Sequence, residues 1–388
     1  MPNLKTGKSC CGCTACAAVC GHNAIIMKPD SLGFKYPKVD LSKCVECGLC
    51  ERVCSFNPEY RTTENFKSPI PYGCRLKSTD ELMKSRSGGA FVALSDLILN
   101  KGGVIYGVGY NEHFKVAHKR ATTKEERDEF RGSKYVQTDL DGIFQQIMKD
   151  LLDGKWVMFT GVGCQVAGLK AFIPKKLQER LFTIDIVCHG VPSPKIWEDY
   201  IDYLENKTGK TIIKVNFRDK RFGWTTHKES YTFKDSTQLV STEFTELFYK
   251  HIMLRPSCGN CFYCNLRRPS DLTIADFWGW ERTKSKLNED NRGLSLVLVN
   301  TPKGEALYKD KACQDKLIAF ETSLKDCMQS HLERPTVLNK NWKKFQKIYE
   351  KKGFNGILRR YGKNSFQCKV HKIIGKCKTL LKRLKKFC

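Results

Sequence analysis

Two cysteine runs near the start of the chain constrain its fold more than any other feature. Each has the spacing C-x2-C-x2-C-x3-C, over residues 10–20 and 44–54. Bacterial ferredoxins that carry two [4Fe–4S] clusters have this spacing, and in them the fourth cysteine of each run ligates the other cluster. The repeat therefore predicts one cluster on Cys10, Cys13, Cys16 and Cys54, and another on Cys44, Cys47, Cys50 and Cys20.

Zinc is the alternative occupant of such cysteines, but zinc sites favour paired C-x2-C knuckles over two runs of four. The proline that usually follows the fourth cysteine is replaced by Gly21 in one run and Ser55 in the other. That departure costs rigidity and no ligand. Cys11 lies between two predicted ligands, and we interpret it as a spectator.

The remaining composition is that of a globular chain of 388 residues with 20 cysteines and a formal net charge of +26. The polar first residues and the absence of a run of 18 apolar residues predict a cytoplasmic protein without a membrane span.

Residues 339–388 hold seventeen Lys or Arg and one acid. The basic character is therefore concentrated in this tail. Residues 370–387 have an apolar helical face, and eight Lys or Arg lie between Lys369 and Lys386, a combination that suits an anionic membrane surface or an acidic partner protein.

Beyond residue 72 the patterns alternate between helical and extended, which predicts an α/β or α+β fold with a mixed or parallel sheet. We divide the chain into residues 1–60, 72–150, 151–312 and a basic helical tail, 313–388, with little core of its own in its last fifty residues. Helices are predicted over 90–100 and 140–152. A strand over 156–160, a loop over 161–164 and a helix over 165–172 follow, and the next strand, 181–187, ends at Cys188.

A further group of cysteines, Cys258, Cys261 and Cys264, lacks a fourth member of its own. Cys164 and Cys188 are the obvious donors, because each follows a predicted strand and the carboxyl ends of such strands share one sheet edge. Both are equally well explained as small buried apolar residues. Spacing alone leaves the two alternatives open.

Three loops rich in small residues, two of which also carry a cation, are candidates to bind a phosphate. They contain the candidate cofactor-binding residues Ser87, Gly88, Gly89, Arg131, Gly132, Ser133, Lys134, Tyr135, Gly161 and Gly163. Each loop alone is explained as a plain turn or helix cap. Together they fit a flavin dinucleotide, which needs donors for its pyrophosphate and a platform for its ring. His189 is interpreted as a loop residue, and Trp224, Trp278 and Trp280 as core residues.

The order of these motifs resembles the beta-subunit family of coenzyme F420 hydrogenases and dehydrogenases, in its bacterial branch with an N-terminal two-cluster ferredoxin module. The motifs follow the ferredoxin repeat at 87–91 (SGGAF), 131–137 (RGSKYVQ), 160–165 (TGVGCQ), 187–193 (VCHGVPS), 258–261 and 271–279 (DLTIADFWG). The resemblance implies a mixed-sheet flavin-binding domain with FAD. It also implies a third [4Fe–4S] cluster on Cys164, Cys188, Cys258 and Cys261, with Cys264 as an extra cysteine.

The resemblance implies an oxidoreductase that exchanges electrons between a hydride carrier or organic substrate, at the flavin, and the iron–sulfur clusters. A redox partner protein is expected at the ferredoxin module. No catalytic side chain is identified. The alternative is a non-enzymatic electron carrier in which the α/β part is only a docking scaffold. A nucleic-acid-binding role for the basic tail is the weaker interpretation, because a solvated or partner-facing face is the more common explanation of such a run of charge.

Overall fold

The computed structural model describes residues 2–56, 65–363 and 365. In this part of the chain the strands are β1 (Ile25–Pro29), β2 (Lys35–Val39), β3 (Ile70–Leu76), β4 (Val104–Tyr110), β5 (Val116–Ala121), β6 (Val157–Val162), β7 (Leu181–Ile186), β8 (Ile212–Asn216), β9 (Glu229–Phe233), β10 (Gln238–Ser241), β11 (Leu272–Asp276), β12 (Ser295–Val299) and β13 (Leu317–Glu321).

The α-helices of the same residues are α1 (Ala15–Ala18), α2 (Leu49–Arg52), α3 (Thr79–Lys84), α4 (Ala90–Asn100), α5 (Lys124–Asp128), α6 (Ile143–Leu152), α7 (Gly163–Phe172), α8 (Pro194–Thr208), α9 (Glu243–Tyr249), α10 (Pro302–Lys309), α11 (Lys311–Gln314), α12 (Leu324–Cys327) and α13 (Trp342–Tyr361).

The N-terminal module is ferredoxin-like. β1 and β2 form an antiparallel hairpin between two short helices, and each helix carries the third cysteine of its run. Both helices begin after a residue in the left-handed region, Thr14 at φ 67° and Gly48 at φ 71°. Glycine adopts that conformation at little cost, and at Gly48 it lets the backbone fold back around the cysteines.

An eight-stranded mixed sheet forms the rest of the core, in the order β13-β3-β12-β11-β7-β6-β4-β5. The neighbours β4, β6, β7 and β11 are parallel, and the other pairs are antiparallel. The predicted mixed sheet is therefore confirmed. Because β6, β7 and β11 run the same way, their carboxyl ends meet at one edge of the sheet. A separate antiparallel sheet, β10-β9-β8, lies beside α8 and α9.

The prediction of a loop over residues 161–164 is wrong. β6 continues to Val162, and α7 begins at Gly163, so Cys164 lies in the first turn of a helix. The Val162 N–H donates to the Gln165 side-chain oxygen at 3.0 Å. This cap satisfies a backbone group at the junction, so the chain passes from strand to helix without a separate loop.

The ferredoxin-like module is packed against α8. Leu32 and Phe34, in and beside the turn of the β1–β2 hairpin, are fully buried in the same apolar cluster as Trp197. Ser193 caps α8 by accepting from the Ile196 N–H at 3.1 Å, and its own hydroxyl donates to the Leu32 carbonyl at 2.5 Å. The first helical turn and the hairpin are therefore held by one side chain.

The expectation that the last fifty residues have little core is wrong for α13. Phe345 and Ile357 are fully buried, and the Tyr349 hydroxyl donates to Asp199 of α8 at 2.6 Å. The predicted amphipathic helix over residues 370–387 lies outside the described residues. Among the described helices, none combines the length and the apolar character that crossing a membrane requires.

Candidate functional site

One group of thiols lies at the outer end of the ferredoxin-like module. Cys20 of the first run and three cysteines of the second line the same small cavity: Cys20, Cys44, Cys47 and Cys50. Cys47 is exposed and Cys50 is buried in the α2 turn. The Cys20 sulfur accepts a hydrogen bond from the Ala24 N–H at 3.3 Å. These are the four cysteines that the sequence assigns to one cluster, and the structure brings them together.

A second group of thiols lies at the inner end of the module, towards the sheet. Burial raises the pKa of Cys16, and the neighbouring thiols Cys13, Cys10 and Cys54 raise it further. Four sulfurs that would repel one another as thiolates are therefore neighbours. An added Cβ at Gly168 of α7 would lie 2.7 Å from the Cys13 sulfur, so this group rests directly on the helix that carries Cys164.

Within residues 2–56, 65–363 and 365, no three His, Cys, Asp or Glu side chains are placed to hold a single metal ion. A cubane differs from such a site because each thiolate binds its own iron, and the four sulfurs stand around the cluster without converging on one point. The shared cavity lining of one group and the mutual effect of the thiols on the pKa of Cys16 in the other show which cysteines lie together.

A third group of thiols lies at the carboxyl edge of the sheet. Cys164 is in the first turn of α7, Cys188 follows β7, and Cys258 and Cys261 belong to the loop before β11. A hydrogen bond from Cys11 favours the Cys164 thiolate. Burial and the neighbouring thiols of Cys261, Cys188 and Cys258 outweigh it and raise the pKa of Cys164 to about 11.

Backbone donors are already directed at two of these sulfurs. The Gly190 N–H points to the Cys188 sulfur at 3.3 Å, and the Val191 N–H points to the Cys258 sulfur at 3.4 Å. Burial nevertheless raises the pKa of Cys188 to about 12, so as free thiols both are protonated. Metal binding here must displace protons, as it does at cysteine sites in general.

The Cys264 thiol contacts the sulfur of Cys261. A hydrogen bond from the Cys264 thiol lowers the pKa of Cys261 to about 7 against the effect of burial, and the pKa of Cys264 is raised by the same contact. Cys264 is thus placed as a donor to a neighbouring thiolate. The thiols whose charges raise the pKa of Cys164 are those of Cys261, Cys188 and Cys258.

Cys11 is fully buried between the second and third groups, in contact with the thiols of Cys13 and Cys164. The Gln137 side-chain amide fixes its backbone by donating to the Cys11 carbonyl at 3.1 Å. The sequence offered no signal for this placement beyond adjacency to Cys10. The residue interpreted as a spectator therefore lies at the junction of the two domains.

A cavity of about 630 Å³ opens at the carboxyl edge of the sheet, beside the third group. Eight of the predicted cofactor-binding residues line it: Ser87, Gly89, Arg131, Gly132, Ser133, Lys134, Tyr135 and Gly161. Gly88 and Gly163 do not line it. A Cβ at Gly88 would lie 2.1 Å from the Cys74 carbonyl oxygen, and one at Gly163 would lie 3.0 Å from the Tyr263 side chain, so both glycines serve close packing.

The cavity wall is rich in cations. Arg86 and Arg131 line it, and each keeps one buried guanidinium nitrogen without a partner among the described residues. Lys134 donates to the Glu129 and Arg131 carbonyls, so it ties its own loop together. Arg218 pairs with Asp276 at 2.6 Å. An anionic group suits the two unpartnered arginine nitrogens.

Two tryptophans support the Asp276 end of the cavity. Trp224 is fully buried, donates to Asp276 at 2.8 Å and stacks on Trp278 with ring centroids 4.5 Å apart. Trp278 lines the cavity and is therefore not the core residue that the sequence suggests. Trp224, which lies behind it, is a core residue. Asp276 and Trp278 both belong to the 271–279 motif, which was the available signal for them.

His189, interpreted from the sequence as a loop residue, lies on the cavity wall. Its two ring nitrogens meet His251 at 2.7 Å and His331 at 2.9 Å. Burial, and then the neighbouring histidines, lower the pKa of His189 to about 3. Sequence reasoning missed His251 and His331, because they lie 62 and 142 residues from His189 along the chain.

Comparison with known proteins identifies two domains. Residues 154–323 match the family model for the C-terminal part of the beta subunit of "Coenzyme F420 hydrogenase/dehydrogenase". Residues 9–57 match the "4Fe-4S dicluster domain". The first match contains Cys164, Cys188, Cys258 and Cys261, and the second contains both cysteine runs.

No curated protein matches the chain. Among solved structures, a chain of the F420-reducing [NiFe] hydrogenase complex from Methanosarcina barkeri is similar at 15% identity and a TM-score of 0.48. The match covers 75% of this chain and 95% of that one.

Proposed function

We propose that this chain is an iron–sulfur flavoprotein oxidoreductase. Its residues 154–323 match the family model for the C-terminal part of the coenzyme F420 hydrogenase/dehydrogenase beta subunit, and its residues 9–57 match a 4Fe-4S dicluster domain. The family and the dicluster domain make the chain an electron-transfer component. The finer proposal is that it passes electrons between a hydride carrier or an organic substrate, in the cavity, and [4Fe–4S] clusters in the three thiol groups.

The observation that carries the proposal is the position of Cys188. This residue lines the cavity and is also one of the four thiols of the third group. A cofactor in the cavity would therefore lie next to that group without an intervening layer of protein. Cys11 then joins the third group to the second.

The cavity fits a flavin dinucleotide in size and chemistry. Its volume lies within the range of ligand pockets, roughly 300–1,000 Å³. The start of the eleven-residue helix α4 opens on it, and free backbone N–H groups at a helix start suit a pyrophosphate. Ser87, Gly89 and the loop of residues 131–135 would hold the cofactor, and the positive charges of Arg86 and Arg131 on the same wall would favour its pyrophosphate.

A bound flavin supplies one capability, the exchange of a two-electron hydride for two single electrons. The chain's own residues arrange the surroundings. The Tyr135 hydroxyl accepts from Arg218 at 3.3 Å, and Arg218 in turn pairs with Asp276, so this wall is rigid before any ligand arrives. The burial of Trp224 behind the pair keeps water from that side.

The thiol groups would hold the clusters in an order set by the fold. The third group, Cys164, Cys188, Cys258 and Cys261, reaches the cavity through Cys188. Cys10, Cys13, Cys16 and Cys54 lie behind it, and Cys20, Cys44, Cys47 and Cys50 lie outermost. The exposure of Cys47 supports an exit to a redox partner protein at that end.

The flavin, iron and sulfide content of the chain, purified under anaerobic conditions, tests the proposal directly. After denaturation, the supernatant should contain about one flavin per chain, identified as the dinucleotide by chromatography, while the native sample contains iron and acid-labile sulfide. A preparation with intact clusters and no flavin would favour the carrier alternative. Zinc without acid-labile sulfide would reject the clusters themselves.

A further inference from the structure

Among the described residues, three arginines are no more than 1% exposed, and Arg255 differs from the other two. Arg127 pairs with Asp96 and Arg268 pairs with Asp185, each at 2.8 Å. Arg255 is 0% exposed, and no carboxylate among the described residues pairs with it. A buried charge without a counter-ion is strongly unfavourable, so Arg255 requires an anion nearby.

The hydrogen bonds of Arg255 locate that anion. Its guanidinium donates to the Cys10 carbonyl, the Lys35 carbonyl and the Gln137 side-chain oxygen, each at 2.9 Å. All three are neutral acceptors. The remaining contact runs from Nη2 to the Cys10 sulfur at 3.7 Å. The negative charge that balances Arg255 therefore belongs at the Cys10 sulfur and the group that it ligates.

We infer that Arg255 is a positioning residue that holds the reduction potential of the [4Fe–4S] cluster on Cys10, Cys13, Cys16 and Cys54 above the value its thiolates alone would set. A cluster with four thiolate ligands is an anion, and reduction adds one electron to it without a proton. A fixed cation beside Cys10 favours the more negative, reduced form. Burial and hydrogen bonds to the ligand sulfurs are the general means by which a protein tunes such a cluster.

The surroundings of Arg255 preserve the effect of its charge. Tyr36 lies with its ring centroid 4.2 Å from the guanidinium carbon, and Phe34 lies at 5.5 Å on the same group. An added Cβ at Gly12 would lie 2.8 Å from Nη1, so the backbone of the cysteine run closes over the cation. Water and salt have little access, and the interaction is screened much less than one at the surface.

Arg255 also connects the two domains. Its backbone N–H donates to the Val191 carbonyl at 2.9 Å, and its own carbonyl accepts from the Cys258 N–H at 3.0 Å. Its charge opposes the rise that burial causes in the pKa of Cys258. The residue therefore stands between the third group and the inner cluster of the module.

The inference rests on the clusters of the proposed function, but its readout needs no flavin, so the two can fail separately. The test is a potentiometric titration of the full chain, followed by electron paramagnetic resonance, with Arg255→Gln, Arg255→Lys and the wild type. Arg255→Gln should make reduction of one cluster at least tenfold less favourable, a fall of about 59 mV for a one-electron couple. Arg255→Lys keeps the charge and should stay near the wild type.

Arg52→Gln is the matched control. Arg52 is exposed and donates to the Cys47 carbonyl beside the outer cluster, at 3.4 Å, so its charge is screened by solvent. Its removal should leave every potential nearly unchanged. Repeating the titration in a Cys164→Ala background, which lacks the third cluster, assigns the shifted signal to the module.

A second pair of variants covers the case in which Arg255→Gln fails to retain its cluster. Gln137→Glu places a carboxylate on Arg255 without changing a sulfur or the arginine, and Gln137→Leu is its neutral counterpart. Gln137→Glu should lower the same potential relative to Gln137→Leu. Equal potentials in Arg255→Gln and the wild type at equal iron content, or equal potentials in the two Gln137 variants, would overturn the inference.

Discussion

Arg268 and Asp185 form a buried ion pair, Nη2 to Oδ2 2.8 Å, in which neither side chain is more than 1% exposed. Asp185 lies near the end of β7, three residues before Cys188. Arg268 follows the loop that carries Cys258 and Cys261, and also donates to the Ile186 carbonyl at 3.1 Å. The pair therefore holds the two segments of the third thiol group against each other.

Replacing Arg268 with Met should destabilise the protein and release the third cluster. Removing one partner of a buried pair leaves an uncompensated charge, here on Asp185, and typically costs about 3–5 kcal/mol in the free energy of unfolding. Arg267→Met is the control, because Arg267 is exposed, and it should change stability by less than about 0.5 kcal/mol. Denaturant unfolding and iron analysis measure the two effects. Equal stability of both variants would contradict the assigned role of the pair.

Cys164 and Cys11, in contact with each other, should respond differently to replacement by Ala. Cys164→Ala removes a proposed ligand and should lower the iron content by about four atoms per chain, the content of one [4Fe–4S] cluster. Cys11→Ala should keep the full iron content, since Cys11 lies between the groups as a hydrogen-bonded neighbour. If the Cys11 variant lost iron and the Cys164 variant retained it, Cys11 would be the ligand and Cys164 its neighbour.

Ser133 offers a charge test of the flavin site. Ser133→Glu places a carboxylate on the cavity wall, where it would repel a pyrophosphate and pair with the neighbouring cations. The flavin content should fall to a small fraction of the wild-type value. Ser133→Gln, of equal size and neutral, should retain it, and iron should be unchanged in both. Equal flavin content in the two variants would place the dinucleotide elsewhere.

The local parts of this architecture were predictable, and the long-range parts were not. The x2 and x3 spacing of the cysteine runs acts over one turn of chain and indicates a two-cluster ferredoxin, in which the fourth cysteine of each run ligates the other cluster. The place of Cys164 at a helix start was missed, because the Gln165 side chain turns an apparent glycine loop into a continuous strand and helix. Arg255 and Gln137 meet only in the folded protein, 118 residues apart, and no local pattern indicates that contact.

His118 should make stability depend on pH. Burial lowers its pKa to about 4, and the neutral ring accepts from Thr138, contacts the Thr160 carbonyl at 2.9 Å and stacks on Phe159. In the unfolded chain the pKa is about 6.5, so below that pH the unfolded state binds the proton first. The contribution is complete above about pH 6.5 and is lost as pH falls towards 4, at about 1.4 kcal/mol per pH unit.

His118→Gln removes the titrating ring and keeps a donor for the Thr160 carbonyl. The free energy of unfolding of the variant should therefore fall less steeply than that of the wild type between pH 7 and 5.5. The difference between the two slopes is the relevant quantity, because other histidines with a lowered pKa, such as the half-buried His227, contribute equally to both. Parallel curves would show that His118 does not stay neutral in the folded protein.

The central claim is that one chain holds a two-electron site in series with one-electron sites. An anaerobic reductive titration of the flavin-loaded full chain, followed by absorbance and electron paramagnetic resonance together, tests it most directly. The proposal predicts about five electron equivalents per chain, two at the flavin and one at each of three clusters. Uptake of only about three equivalents, with cluster signals and no flavin bleaching, would contradict it and leave the chain an electron carrier.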